Sequence, residues 1–443
     1  MAVDKQWPPR YHTTWQHAQV LVPRGVVVAY AQMVSLIVFI IAYALALTRK
    51  VKLAYIAVAG AGVLIALGVV PWRIALFELI DLDVLAIYAG FLLVSSAFSE
   101  SGVPRALAAG VLRRVHSEKY ALLILCSITA LVSAFMHNVG AVLIMAPVAI
   151  ELARMTRSSL FPYLVGLAIS SNAVTTVTMV ADPPALILAM DMGMSFFDFF
   201  WCQGRPGLGT LSMAGVAVAL LWLLVPFRHL NARFDLPSAL PRARYGATLL
   251  FGGGVVALAL APYLGIRIGL IGLAVGLLAL LLEARRAGDL LREFDWDSFL
   301  FITGTFVLVG SLETTGLLER LAGLIGASGL RSPAALTGFF VWTSVAASAV
   351  VDNVPYTILM IPVVRMVATQ VGISATPLLY GMVVGTGSGG NITPVGATAN
   401  VFACGILEKQ GYTVRTLDFM KLSLPFTLIT VAAIHLLLWL VWL

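Results

Sequence analysis

Long apolar runs separated by short charged loops set the pattern of this chain. Val26–Thr48 carries no charge at all. A helix rises 1.5 Å per residue, so a run of that length crosses a bilayer core of about 30 Å. The pattern predicts spanning helices near 26–48, 53–71, 84–98, 161–190 and 208–226. A second set follows near 246–264, 267–283, 297–312, 377–407 and 420–441. Two of these are interrupted. "SSNAVTTVTMVADPP" (Ser170–Pro184) packs hydroxyls and an amide into mid-span. "GTGSGGNITPVGATAN" (Gly385–Asn400) lies in an uncharged run from Met366 to Leu407 that holds eight glycines and two prolines. Such a run cannot form one straight helix.

Two further apolar stretches are too short to span. "FMHNVGAVLIMAPV" (Phe135–Val148) and "VVDNVPYTILMIPV" (Val350–Val363) each carry polar residues in the middle. After the Asn the apolar arm runs from Asn138 to Ile150 before Glu151, and from Asn353 to Val364 before Arg365. Each phrase therefore reads as the tip of a re-entrant hairpin that enters and leaves on one side. Asn138 and Asn353 are expected to N-cap the returning arms, with Pro355 suited to the first helical turn.

The two phrases belong to an internal repeat. "IDLDVLAIYAGFLLVSSAFSESG" (Ile80–Gly102) matches "FDWDSFLFITGTFVLVGSLETTG" (Phe294–Gly316) without a gap. "FPYLVGLAISSNAVTTVTMVADPPALI" (Phe161–Ile187) matches "TPLLYGMVVGTGSGGNITPVGATANVF" (Thr376–Phe402) in nearly the same register. An odd number of crossings per half makes the second copy enter from the opposite side, an arrangement typical of secondary transporters. The expected fold is thus an all-α polytopic membrane protein. It has two inverted repeats, each of five transmembrane helices plus one re-entrant hairpin, with broken helices at the midplane. The expected boundaries are a polar N-terminal leader over 1–25, a first repeat over 26–226, a basic cytoplasmic linker over 227–245 and a second repeat over 246–443.

Composition agrees: the chain is 60% hydrophobic and only 11% charged, against about 25% charged in soluble domains. The net charge of +7 falls in loops between spans. It marks topology and not nucleic-acid binding. With these spans, most of the 28 lysines and arginines lie on the side away from the N-terminus. The positive-inside rule makes that side cytoplasmic and puts both termini outside, in the plasma (inner) membrane. Cys126, Cys202 and Cys404 have no metal spacing and read as small buried hydrophobes. No structural metal and no cofactor is expected.

Broken backbone at membrane depth is tolerated only where protein buries it or a cavity receives it. Inverted repeats bring the two tips and the two broken spans together near the midplane. The centre then offers amides (Asn138, Asn172, Asn353, Asn391, Asn400), hydroxyls (Ser171, Thr175, Thr178, Ser388, Thr393, Thr398) and three ionisable groups, His137, Asp182 and Asp352. Oxygen ligands of this kind suit a hard cation such as Na⁺ at the Asn138 and Asn353 tips. Helix N-termini suit an anion. Asp81, Asp83, Asp295 and Asp297 precede spans and read as interfacial caps.

"DNVPYTILMIPV" followed by "GGNITPVGATANVFACGILEKQGY" resembles the second-half signature of the ion transporter superfamily. That group holds arsenite-efflux permeases, bacterial sodium–proton antiporters, the P protein, and citrate and sodium–dicarboxylate transporters. The wording is closest to the P-protein and antiporter branch. The resemblance implies an elevator-type secondary transporter, commonly a dimer. Its tips and loops bind substrate and coupling ion: His137, Asn138, Asp352 and Asn353, then Asp182, Gly389, Gly390, Asn391, Thr393 and Asn400. The dicarboxylate branch has Ser-Asn-Thr at both tips, where this chain has His-Asn-Val and Asp-Asn-Val. The first loop has Val174-Thr175 and Pro183-Pro184-Ala185 where the family has a glycine pair and Pro-Pro-Asn.

The expected function is secondary transport of a small ion, coupled to H⁺ or Na⁺. The cargo is an inorganic anion or oxyacid such as arsenite, or Na⁺ in exchange for H⁺. Sodium-coupled citrate or dicarboxylate transport and a channel on the same scaffold are the alternatives. An intramembrane enzyme using Asp182 and Asp352 is disfavoured, because the repeat accounts for both acids.

Overall fold

The computed structural model describes residues 24–48, 50–234 and 243–443. Nearly all of the leader and residues 235–242 of the linker lie outside the described residues. The first half runs α1 (Arg24–Thr48), α2 (Leu53–Ala66), a short turn α3 (Trp72–Ile74) that widens into a π turn, α4 (Leu82–Glu100) and α5 (Val103–Leu112). It continues with α6 (Glu118–Ser133), α7 (Asn138–Thr156), α8 (Phe161–Asn172), α9 (Pro183–Asp191) and α10 (Leu208–Trp222). The second half repeats this order: α11 (Gly246–Leu264), α12 (Ile268–Leu282), α13 (Ala287–Glu293), α14 (Trp296–Thr314), α15 (Leu317–Gly326), α16 (Pro333–Ser348), α17 (Asn353–Val371), α18 (Ala375–Gly389), α19 (Thr398–Lys409) and α20 (Thr416–Trp442). A two-residue β-ribbon pairs Trp201–Cys202 (β1) with Arg205–Pro206 (β2). Among the described residues seven helices are long and apolar enough to cross a membrane, or nine if bent pairs count as one span.

The capping chemistry follows the repeat. The Asp81 carboxylate accepts from the Asp83 and Val84 amides at the start of α4. Asp295 accepts from the Ser298 amide at the start of α14. Both long helices then end at the aligned glycines. Gly102 (φ 77°) and Gly316 (φ 78°) take the left-handed conformation that only glycine adopts without cost. These turns launch α5 and α15, two ten-residue amphipathic helices that the span pattern does not predict. α15 leaves α14 at 69°.

Packing is reciprocal between the halves. α2 packs on α14, and α12 packs on α4. At matching places the backbones touch. A Cβ on Gly90 would lie 1.8 Å from the Gly272 carbonyl oxygen, and one on Gly304 would lie 2.5 Å from the Ala57 carbonyl carbon. Direction also follows. Leu79, just before α4, lies against Gly310, near the end of α14. The start of α4 and the end of its counterpart α14 therefore share one side, which is what inversion requires.

The hairpins are re-entrant. Tyr163, in the first turn of α8, donates to Glu118 at the base of α6 (2.8 Å) and reaches Thr156 at the end of α7 (3.3 Å). Both ends of the first hairpin thus lie level with the start of α8. Its tip lies level with the end of α8, twelve residues and about 18 Å deeper, where Ser133 bonds the Ser171 carbonyl. The returning arms are longer than the sequence implied. α7 continues past Glu151 to Thr156, and α17 continues past Arg365 to Val371. Arg365 is accommodated by a bidentate-like clasp on Asp191 of α9, with Nε to Oδ2 at 2.9 Å.

The close glycine contacts give a test. Gly90→Val and Gly304→Val should each cost about 1–3 kcal/mol or more through overpacking, read as a clear drop in the melting temperature of the purified protein. Gly252→Val, at a position with nothing within 4 Å of an added Cβ, should leave it nearly unchanged.

Candidate functional site

Each hairpin tip is tied to its own broken span by the same two bonds. In the first half, Ser133 shares its hydroxyl between the Asn138 side-chain oxygen (2.8 Å) and the Ser171 carbonyl (3.0 Å). Thr178 donates to the Ala134 carbonyl. In the second half, Ser348 donates to the Thr386 carbonyl (2.6 Å) and Thr393 to the Ala349 carbonyl (3.3 Å). All four pairs occupy equivalent positions of the repeat. The carbonyls they serve stand where helices end at membrane depth, and an open carbonyl there is costly. Ser133 and Ser348 were not among the residues expected at the site. "SAFMHN" and "SAVVDN" hold a serine five positions before each Asn, so the repeat register does carry that signal.

The caps lie one residue earlier than expected. His137 and Asp352 occupy the N-cap positions of α7 and α17, and Asn138 and Asn353 are the first helical residues. Asp352 accepts from the Val354 amide at 3.0 Å. Asp is as good an N-cap as Asn, so the type of residue could not place the boundary. Asn353 is free to turn sideways, and its amide donates to Asp182 at 2.9 Å. Asp182 stands at the N-cap of α9 but makes no cap bond there. The tip of the second hairpin is thereby joined to the broken span of the first half. Asp352 lies close enough for the two carboxyls to interact.

A second constellation knots the broken spans together. The Asn172 amide donates to the side-chain oxygens of Asn391 (3.1 Å) and Asn400 (2.8 Å). Asn391 donates to the Ile169 carbonyl (3.0 Å), and Asn400 to the carbonyls of Gly390 (3.2 Å) and Thr393 (2.8 Å). All three amides are buried. Thr175 fits against Gly387, where an added Cβ would lie 2.3 Å from its hydroxyl. Gly389 meets the Val345 carbonyl just as closely. Ser171 bonds back to Ala168 within its own helix (2.9 Å). The Ser388 carbonyl receives the Asn391 amide (3.1 Å). Thr398 is exposed on the first turn of α19.

The predicted residues thus divide. Asn172, Asn391 and Asn400 hold the centre together. Asp182 meets Asn353 and Asp352 of the second tip and shares the lining of one chamber with His137 of the first. That small chamber is lined by Tyr88 and Ser95 of α4, His137 of the first tip, and Asp182; Asp352 and Asn353 lie outside its lining. No lysine or arginine lines it. Its free space is about 20 Å³, room for roughly one water or one small ion. The oxygens of Asp182 and Asn353 form a donor set of the kind that hard cations take. Among the described residues no three His, Cys, Asp or Glu side chains cluster as a metal site. Cys126, Cys202 and Cys404 are buried and unbridged.

Comparison with known proteins places this architecture. Residues 43–385 match the citrate transporter family. An uncharacterized transporter of Mycobacterium tuberculosis is 29% identical, over 92% of this chain and 98% of its own length. The human P protein is 26% identical over 80% of this chain, and the match spans 52% of that longer protein. The crystal structure of the YdaH transporter of Alcanivorax borkumensis has the same fold, with a TM-score of 0.58 at 16% identity, over 93% of this chain and 97% of that one. The chain belongs to the citrate transporter family, and it is a multi-pass secondary transporter.

Proposed function

We propose that the protein moves a small ion or small oxyacid across the membrane, driven by a cation, with Asp182, Asp352 and Asn353 as the coupling site. The observation that carries this reading is the Asn353–Asp182 bond, which joins the second tip to the first half's broken span beside Asp352. Asp182 is buried and Asp352 half-buried; the two carboxyls repel when both are ionised, and a proton or a metal cation shared by them relieves that repulsion. Binding the cation therefore stabilises the tip against the loop, and losing it loosens the contact. That difference is what a coupled transporter needs.

Coupling to protons is the favoured form, because both groups can titrate. A chamber of about 20 Å³ suits a small solute. Citrate, which the family's description names, would require a wider conformation. Transport by an elevator motion accords with two re-entrant tips that end against the broken spans. The excess of Lys and Arg on the side away from the N-terminus supports both termini outside.

The test uses purified protein in liposomes with an imposed pH gradient and a pH-sensitive dye inside. Sodium salts, arsenite and citrate are added separately. Collapse of the gradient by Na⁺ whatever the anion makes this a sodium–proton antiporter. Collapse with one anion or oxyacid alone makes it a carrier of that solute. Asp352→Asn keeps an N-cap and should preserve folding while lowering coupled flux by about a hundredfold, as loss of an essential charge does. Undiminished coupled flux in that variant removes Asp352 from the coupling role. Asp182→Asn should behave alike.

Orientation is tested separately. The native cysteines are buried, so the background is low. Arg331→Cys, at the base of the second hairpin, should react with an impermeant thiol reagent in intact cells. Arg285→Cys should react only after permeabilisation. The reverse pattern inverts the topology.

A further inference from the structure

We propose that Tyr88 contacts the transported solute directly, and that the solute it reads is a small oxyacid or oxyanion. This rests on the transport reading above but assigns a residue outside both tips and both broken spans. Tyr88 lies on α4 and is only 8% exposed. Its hydroxyl lacks a hydrogen bond of normal geometry, and the side chain it approaches is that of Ser298 at the start of α14, with Asp295 beyond it. A buried hydroxyl without a partner costs free energy and calls for a reason. Several other buried polar side-chain atoms also lack partners, but among the described residues only Tyr88 both carries such an atom and lines the chamber with His137 and Asp182.

The repeat sharpens the argument. Tyr88 aligns with Ile302, and Ser95 with Val309. Both counterparts are buried apolar residues of α14. A spanning helix packs well with Ile and Val at these places, as the second half demonstrates. The first half instead places two hydroxyl-bearing residues there, and both line the chamber. The same helix position is thus structural in one half and polar in the other, on the side where the ionisable groups stand.

Chemistry then narrows the solute. A phenol can donate one hydrogen bond and accept another. The N-terminus of α7 opens at His137, and a helix N-terminus favours oxygen-bearing anionic or polar groups. Asp182 opposes a bare anion but accepts from a hydroxyl. A solute with both acidic hydroxyls and oxygen acceptors meets all three. The chamber as it stands has room for about one water, so such a solute enters as the chamber widens.

Tyr88→Phe removes the hydroxyl and keeps the ring. Binding is read as thermal stabilisation of the purified protein by arsenite, borate or phosphate as sodium salts, with sodium chloride as control. Flux of the same solutes is read in liposomes. The expected result is that at least one of these solutes stabilises the parent protein and that Tyr88→Phe weakens that binding about tenfold. KM should rise by the same factor, with maximal rate and cation dependence within about twofold. Ser298→Ala should leave KM unchanged. Equal binding in parent and Tyr88→Phe overturns the proposal while leaving transport intact. The same shift in Ser298→Ala overturns it too, because Tyr88 would then act through α14. A parent protein that none of the three solutes stabilises also overturns it. Tyr88-dependent binding without any flux supports the contact and removes the transport reading instead.

Discussion

A backbone carbonyl exposed in the hydrocarbon layer has no water to turn to, and this constraint organises the centre of the molecule. Four helices stop at mid-depth. Each hairpin tip answers with a side-chain hydroxyl, Ser133 or Ser348, on the carbonyl at the end of the adjacent span. Each loop returns a hydroxyl, Thr178 or Thr393, to the backbone of the tip. The broken elements are thereby satisfied in pairs. Without these bonds the tips would have no fixed depth, and Asp182 and Asn353 would not meet.

On this symmetric frame the polar groups are distributed unequally. The first half contributes Asn172, Asp182, His137 and Tyr88. The second contributes Asn391, Asn400, Asp352 and Asn353. Asp182 aligns with Ala397, and Asn172 with Gly387. The asymmetry makes the two halves depend on each other: every amide of the knot reaches across to the other repeat or to its loop. It also places the acidic groups at the meeting of the second tip with the first broken span and leaves the first tip with a histidine.

Much of this was legible in the chain, and the exceptions have physical causes. The register of the repeat located the tips, the broken spans and the aspartate caps of α4 and α14, because duplicated structure leaves duplicated pattern. The amphipathic helices α5 and α15 escaped, since a ten-residue helix at an interface has no long apolar run. The extra turns of α7 and α17 escaped because a charge inside an apolar stretch reads as its end. Glu151 instead sits within the helix, and Arg365 finds Asp191, which lies far away in sequence. Tyr88 could not be singled out from the chain alone. An aromatic residue in a spanning helix looks like core until the chamber beside it is seen.

The contact of Gly90 with Gly272 recurs as that of Gly304 with Ala57. In each pair one partner comes from either half, so neither contact can form within a single half. An ancestral polypeptide one repeat long would have had to make it with a second copy inserted upside down in the same membrane. Such a precursor needed loops whose positive charge was nearly balanced between its two sides, so that both insertions occurred. Two halves joined in one chain each fix their own orientation and are free to differ, as the carboxylates, amides and hydroxyls of this chain do.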